Sequence, residues 1–97
     1  MGMNEREERV AALLREAAEL HHAVYRIADG DDPDWASWYS DWLVRLSELP
    51  AVLGAAPVRS ALTAALVRLD RERAAGPGGT PWQEDYARAL VAEFAAA

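Results

Sequence analysis

Asp34-Trp35-Ala36-Ser37-Trp38-Tyr39-Ser40-Asp41-Trp42-Leu43-Val44-Arg45-Leu46 carries three of the chain's four tryptophans, and their spacing admits few folds. Trp35, Trp38, Tyr39, Trp42 and Leu46 recur at steps of three and four, so on a helix they share one face. Asp31, Asp32 and Pro33 stand where such a helix would start, with Asp32 as its cap and Pro33 at its first position. Burying one large aromatic ring removes about 150 to 250 Å² from water. A chain of 97 residues has room for one core that hides roughly 60 to 65% of the unfolded surface. The stripe is therefore expected to be core first and function second.

The rest of the sequence divides into amphipathic segments punctuated by Pro and Gly, and no strand pattern competes with them. The periodicity predicts four helices, over about 4–28, 33–48, 57–75 and 81–95. In the first, Asn4 is the expected cap, with Glu5, Glu7 and Glu8 in the favourable end of the dipole. Its stripe is Val10, Leu13, Leu14, Ala17, Leu20, Val24 and Ile27, and Asp29-Gly30 ends it. Leu49-Pro50 is expected to stop the second helix, leaving the apolar connection 51–56 to pack down on the core. Pro57 opens the third, with Val58, Ala61, Leu62, Ala65, Leu66 and Leu69 inward. Thr80, Pro81 and Gln83 resemble a capping box for the fourth, whose inner face is Trp82, Tyr86, Ala89, Leu90 and Phe94. The expected architecture is all-α and a single domain, a four-helix bundle or two packed helical hairpins. Met1-Gly2 reads as a cloning remnant, and Arg6 stands where a myristoylation signal needs Ser or Thr.

Charge narrows the partners. A formal net charge of −6 repels phosphate backbones and anionic lipid, so neither nucleic acid nor a membrane surface is expected. All ten basic residues are arginine. Arg59, Arg68, Arg71 and Arg73 scatter around the third helix, interrupted by Asp70 and Glu72, which is no reading face for DNA. The absence of cysteine removes disulfides and thiolate metal sites, and no run has the length of a membrane helix. A cytoplasmic protein is the expectation.

Several constellations carry possible chemistry. Glu19 and His22 have the Glu-x-x-His spacing that presents a carboxylate and an imidazole to one metal. At about 100° per residue both fall off the apolar stripe, so a solvated pair is the expected state. His21 falls on the stripe beside Tyr25, and is expected as a hydrogen-bonded imidazole in the core or at an interface. Ser37, Ser40, Ser47 and Ser60 lack a nucleophile-elbow context. The Asp29-Gly30-Asp31-Asp32-Pro33-Asp34 run puts proline at a ligand position of a calcium loop and lacks its closing glutamate. Trp35, Trp38, Tyr39 and Trp42 offer faces to a flat or cationic ligand, although three rings along one stripe form a strip and not a box. Val44, Val67 and Val91 point away from their own stripes, which favours a contact between copies.

Asp32-Pro33-Asp34-Trp35, followed by Trp38-Tyr39 and Trp42-Leu43, resembles a segment of a small bacterial helical family. It is also similar to helical extensions of glyoxalase-like, vicinal-oxygen-chelate proteins. The resemblance covers about 15 residues well and is weaker around Leu49-Pro50 and from Pro57 to Leu69. It implies a free-standing accessory or interaction domain and carries no catalytic residues with it.

The functional expectation is a non-enzymatic helical interaction module without a cofactor, a homodimer or higher homo-oligomer. Its contact surface would lie on the first two helices through His21, Tyr25, Trp38 and Trp42. The alternative, from another class, is a small-ligand or metal-binding protein using the Trp35, Trp38 and Trp42 stripe or the Glu19 and His22 pair.

Overall fold

The computed structural model describes residues 3–26, 34–76 and 80–96, and among them every regular element is a helix. Helix α1 spans Glu5–Arg26, α2 Trp35–Asp41, α3 Leu49–Leu53, α4 Arg59–Ala75 and α5 Trp82–Phe94. The chain is all-α, as its periodicity predicts. No helix among these residues is long and apolar enough to cross a membrane.

α1 begins with a reciprocal cap. The Glu7 N–H donates to Asn4 Oδ1 at 2.8 Å, while the Asn4 N–H donates to Glu7 Oε1 at 2.9 Å. Two otherwise orphaned donors are satisfied, and Glu5, Glu7 and Glu8 sit in the first turn where the helix dipole favours them. Val10, Ala11, Leu14 and Ala17 are fully buried. Leu20 is 42% exposed, because at about 100° per residue the buried line runs through Val10, Leu14 and His21 and leaves Leu20 at its edge. The expected stripe residues Val24 and Ile27 lie outside the described side chains, as does the expected start of the second helix at Asp31, Asp32 and Pro33. α2 begins at Trp35 directly after Asp34, whose side chain makes no capping bond.

The segment expected as one helix to residue 48 is helical from Trp35 to Leu46, but its winding widens after Asp41. After Asp41 the chain winds through Trp42–Leu46 as a π-helical turn, in which an N–H reaches back five residues instead of four. The position above Trp42 is then no longer Leu46, which rotates into solvent and is 67% exposed. Ser47 closes this turn and opens the next helix. Its hydroxyl donates to the Leu43 carbonyl at 2.6 Å and accepts the Leu49 N–H at 3.0 Å. Pro50 does not stop a helix. It sits in the first turn of α3, where its missing N–H costs nothing.

α3 replaces the expected loop and buries Leu49, Val52 and Leu53, as an apolar run packed on the core should. Gly54 ends it in the left-handed region at φ 79°, and its N–H donates to the Pro50 carbonyl at 2.9 Å. The last described residue, Ala96, donates its N–H to the Leu53 carbonyl at 2.9 Å. A Cβ at Gly54 would lie 3.3 Å from the Ala96 Cβ, so both dihedral and space select glycine there.

α4 starts two residues after Pro57, leaving Val58 in extended backbone and 68% exposed, contrary to its expected inward position. Ala61 is exposed too, and the buried line is Leu62, Ala65 and Leu66. At α5 the expected Thr80 and Gln83 capping box does not form. The helix begins after Pro81 with no side-chain cap, and the Pro81 carbonyl takes the N–H groups of Glu84 and Asp85. Tyr86, Ala87 and Leu90 form its buried line.

Helices pair in a nested order. α1 packs chiefly along α5, and α2 along α4. Both pairs run antiparallel. Arg15 reaches Glu84 near the start of α5, while Asn4, Arg6 and Arg9 share a groove with Val91 near its end. Asp41 at the end of α2 pairs with Arg59 at the start of α4, 3.1 Å away. Between α2 and α4 the hydroxyl of Ser40 is fully buried and donates to the Ala36 carbonyl at 2.8 Å. The Thr63 hydroxyl lies 2.8 Å from Ser40 Oγ and 2.9 Å from the Arg59 carbonyl. No buried side-chain polar atom among the described residues lacks a partner. Val44, Val67 and Val91, expected to point away from their stripes, are partly buried against the core.

Candidate functional site

Tyr39 organises the aromatic residues. It is 8% exposed on α2, and its ring centroid lies 5.9 Å from Trp35 and 5.5 Å from Trp38 on the same helix. α1 brings His21 to 5.2 Å and α5 brings Trp82 to 6.2 Å. Trp82 stands 5.0 Å from Tyr86, and His21 stands 5.0 Å from Trp38. Interplanar angles from 51° to 85° make these edge-to-face or tilted contacts. In that arrangement the positive ring edge meets the negative ring face, worth about 0.5 to 1.5 kcal/mol per pair beyond the area buried.

The strip read from α2 thus becomes one wall of a cleft. His21, Trp35, Tyr39, Asp70, Arg73, Trp82 and Tyr86 line an open space of about 400 Å³ drawn from α1, α2, α4 and α5. Five of these are ring-bearing, and Asp70 and Arg73 supply the charges. Arg73 is already engaged. Its Nη1 pairs with Asp85 Oδ2 at 2.7 Å and its Nη2 donates to the Thr80 carbonyl at 2.6 Å. Those bonds tie the end of α4 to the start of α5 and hold Trp82 and Tyr86 facing Tyr39.

Tyr86 and Asp70 line the same cleft. Burial, and then the negative charge of Asp70, push the Tyr86 pKa up to about 12, against a smaller opposing pull from Arg73. Burial also raises that of Tyr39. The folded state therefore favours the neutral phenol. Its contribution to stability is complete below about pH 10, the ordinary tyrosine value, and is lost as pH climbs from there to about 12. The chain has no lysine and only three tyrosines, so side-chain titration in this window belongs to the phenols. Phenolate absorbance should show Tyr86 ionising well above pH 10 together with loss of the fold, and Tyr86→Phe should remove that phase. Ionisation of Tyr86 at its ordinary value would contradict the placement.

Other expected site residues are placed differently. Trp42 is 9% exposed and belongs to the chain's own core, offering little to a partner. Trp38 is half-buried and adjoins His21, while the Tyr25 side chain lies outside the described part. Glu19 and His22 are both exposed, and no group of three or more His, Cys, Asp or Glu among the described residues could hold a metal ion. Arg59, Arg68 and Arg73 are each held by a carboxylate, of Asp41, Glu93 and Asp85.

Asp70 and Arg73 were not anticipated as lining residues, and Trp82 and Tyr86 were anticipated only as core. The i, i+3 step from Asp70 to Arg73 and the i, i+4 step from Trp82 to Tyr86 set each pair on one helix face. Which faces meet is decided by helix pairing, and no local pattern encodes that. The chain matches no family model, no curated protein and no solved structure.

Proposed function

We propose that this chain is a binding domain whose cleft receives a small organic ligand with an apolar or flat body. One observation carries the reading: rings from three helices, His21, Trp35, Tyr39, Trp82 and Tyr86, converge on a single cleft of about 400 Å³ with Asp70 and Arg73 among its lining residues. Ligand sites are commonly apolar concavities of about 300 to 1,000 Å³ with a few placed polar groups. The cleft also explains why half-buried Trp35 and Trp82 are retained at its walls, whereas Trp42, which lines none of it, is sealed in the core.

Indole N–H resonances of the nitrogen-labelled protein test this, each assigned by a Trp→Phe variant. Titration at millimolar concentration with a panel of small aromatic and aliphatic probes, neutral and charged, should move the signals of Trp35 and Trp82 and leave Trp42 in place. If no probe moves Trp35 or Trp82, the cleft is not a ligand site.

A further inference from the structure

The charges around the cleft discriminate between ligand classes. Arg73 has little left to offer an anion, since its guanidinium is bound to the Asp85 carboxylate and the Thr80 carbonyl. Asp70 is different. It is exposed, it lines the cleft together with Tyr86, and no arginine of the described residues forms an ion pair with it. Asp85 also stands 3.7 Å from Arg88, so Asp70, Arg73, Asp85 and Arg88 sum to no net charge, but Asp70 is the carboxylate among them that no described arginine holds. In the same cleft stand two indoles and two phenols, Trp35, Trp82, Tyr39 and Tyr86, in a chain of net charge −6. Successive rings are steeply inclined to one another, at 85° for Trp35 and Tyr39, 64° for Tyr39 and Trp82, and 65° for Trp82 and Tyr86. No two successive rings are parallel, so they form no slot for a flat ring and suit a rounded cation better.

We infer that the ligand is a small alkylated ammonium compound, its trimethylammonium or similar head lying against Trp35, Tyr39, Trp82 and Tyr86 with Asp70 supplying the counter-charge. This rests on the cleft being a ligand site. An alkylated ammonium suits the place because it cannot use strong hydrogen-bond acceptors and loses little on leaving water, while ring faces attract its diffuse charge. A primary ammonium would demand acceptors for its protons, and among the described lining side chains the carboxylate of Asp70 is the one anionic acceptor.

The comparison that tests it sets choline against the alcohol in which a tert-butyl group replaces the trimethylammonium, equal in shape and uncharged. Both are titrated into the full chain while the Trp82 indole signal is followed. Choline is expected to bind about tenfold tighter, a difference in the range that cation–ring attraction supplies. Asp70→Asn, which removes the charge at nearly constant shape, should remove a large part of that difference and leave the uncharged alcohol unchanged. Added salt should weaken choline alone. Equal affinities, or an Asp70→Asn loss shared by both ligands, would overturn the cationic assignment while the ligand site stands. Should neither bind while a flat probe of the wider panel does, the assignment again falls alone. Silence across the whole panel would remove both.

Discussion

Tyr39→Ala is expected to lower the free energy of unfolding by about 3 to 5 kcal/mol, the range for deleting a large buried ring. Tyr39 is 8% exposed and its ring meets His21, Trp35, Trp38 and Trp82. Removing it takes away the buried area and four ring contacts at once, and those contacts join α1, α2 and α5. Stability of a small domain is typically about 5 to 15 kcal/mol, so this one side chain accounts for a large fraction of it. Urea unfolding followed by far-ultraviolet circular dichroism gives the measurement. Tyr39→Phe retains every ring and should retain most of the stability. A loss below about 1 kcal/mol for Tyr39→Ala would mean that the cluster is peripheral to the core, since surface substitutions fall near that size.

The second large effect is a contrast between two leucines one turn apart. Leu43 is fully buried and Leu46 is 67% exposed, although both lie in the same π-helical turn and both are leucine. Leu43→Ala is expected to cost about 2 to 5 kcal/mol through lost burial and the cavity left behind. Leu46→Ala should change stability by no more than about 0.5 kcal/mol. A regular α-helix through the same residues would set Leu46 above Trp42 on the inner face and make both substitutions costly. The pair thus reports on the π turn directly, by chemical denaturation without any further structural work. Comparable losses at the two positions would show that the turn is α-helical in solution.

Much of the fold can be read from the residues, because helix periodicity and caps are local. Asn4 announced its cap, and spacing placed Val10, Leu14 and Ala17 of α1 and Tyr86 and Leu90 of α5 in the core, while it missed Ala11 and Ala87 and put the exposed Leu20 inward. The second helix was misjudged for a physical reason. Steps of three and four describe a helix whose bonds reach back four residues, and nothing in Trp42-Leu43-Val44-Arg45-Leu46 marks the place where they reach back five. Pro50 was ambiguous in a similar way, since proline that cannot continue a helix is equally suited to its first turn. Thr80 and Gln83 had the letters of a capping box, but the helix begins at Trp82 with Pro81 in the cap position, one residue later than that pattern requires. Of the cleft, His21, Trp35 and Tyr39 were legible as ring-bearing positions on apolar stripes. Asp70, Arg73, Trp82 and Tyr86 joined them through the crossing of α4 and α5 over α2, a relation between residues far apart in the chain.

That distance has a bearing on how the protein is made. α1 finds its chief partner in α5, with the whole of α2, α3 and α4 lying between them in sequence. On the ribosome, where synthesis proceeds at about 5 to 20 residues per second, α1 must wait for α5 to be made. Until then α3 and the π turn can cover only part of α1, while α2 is free to settle on α4. The burial of Val10, Leu14 and Ala17 is therefore completed late, and chaperones and proteases have the longest access to α1.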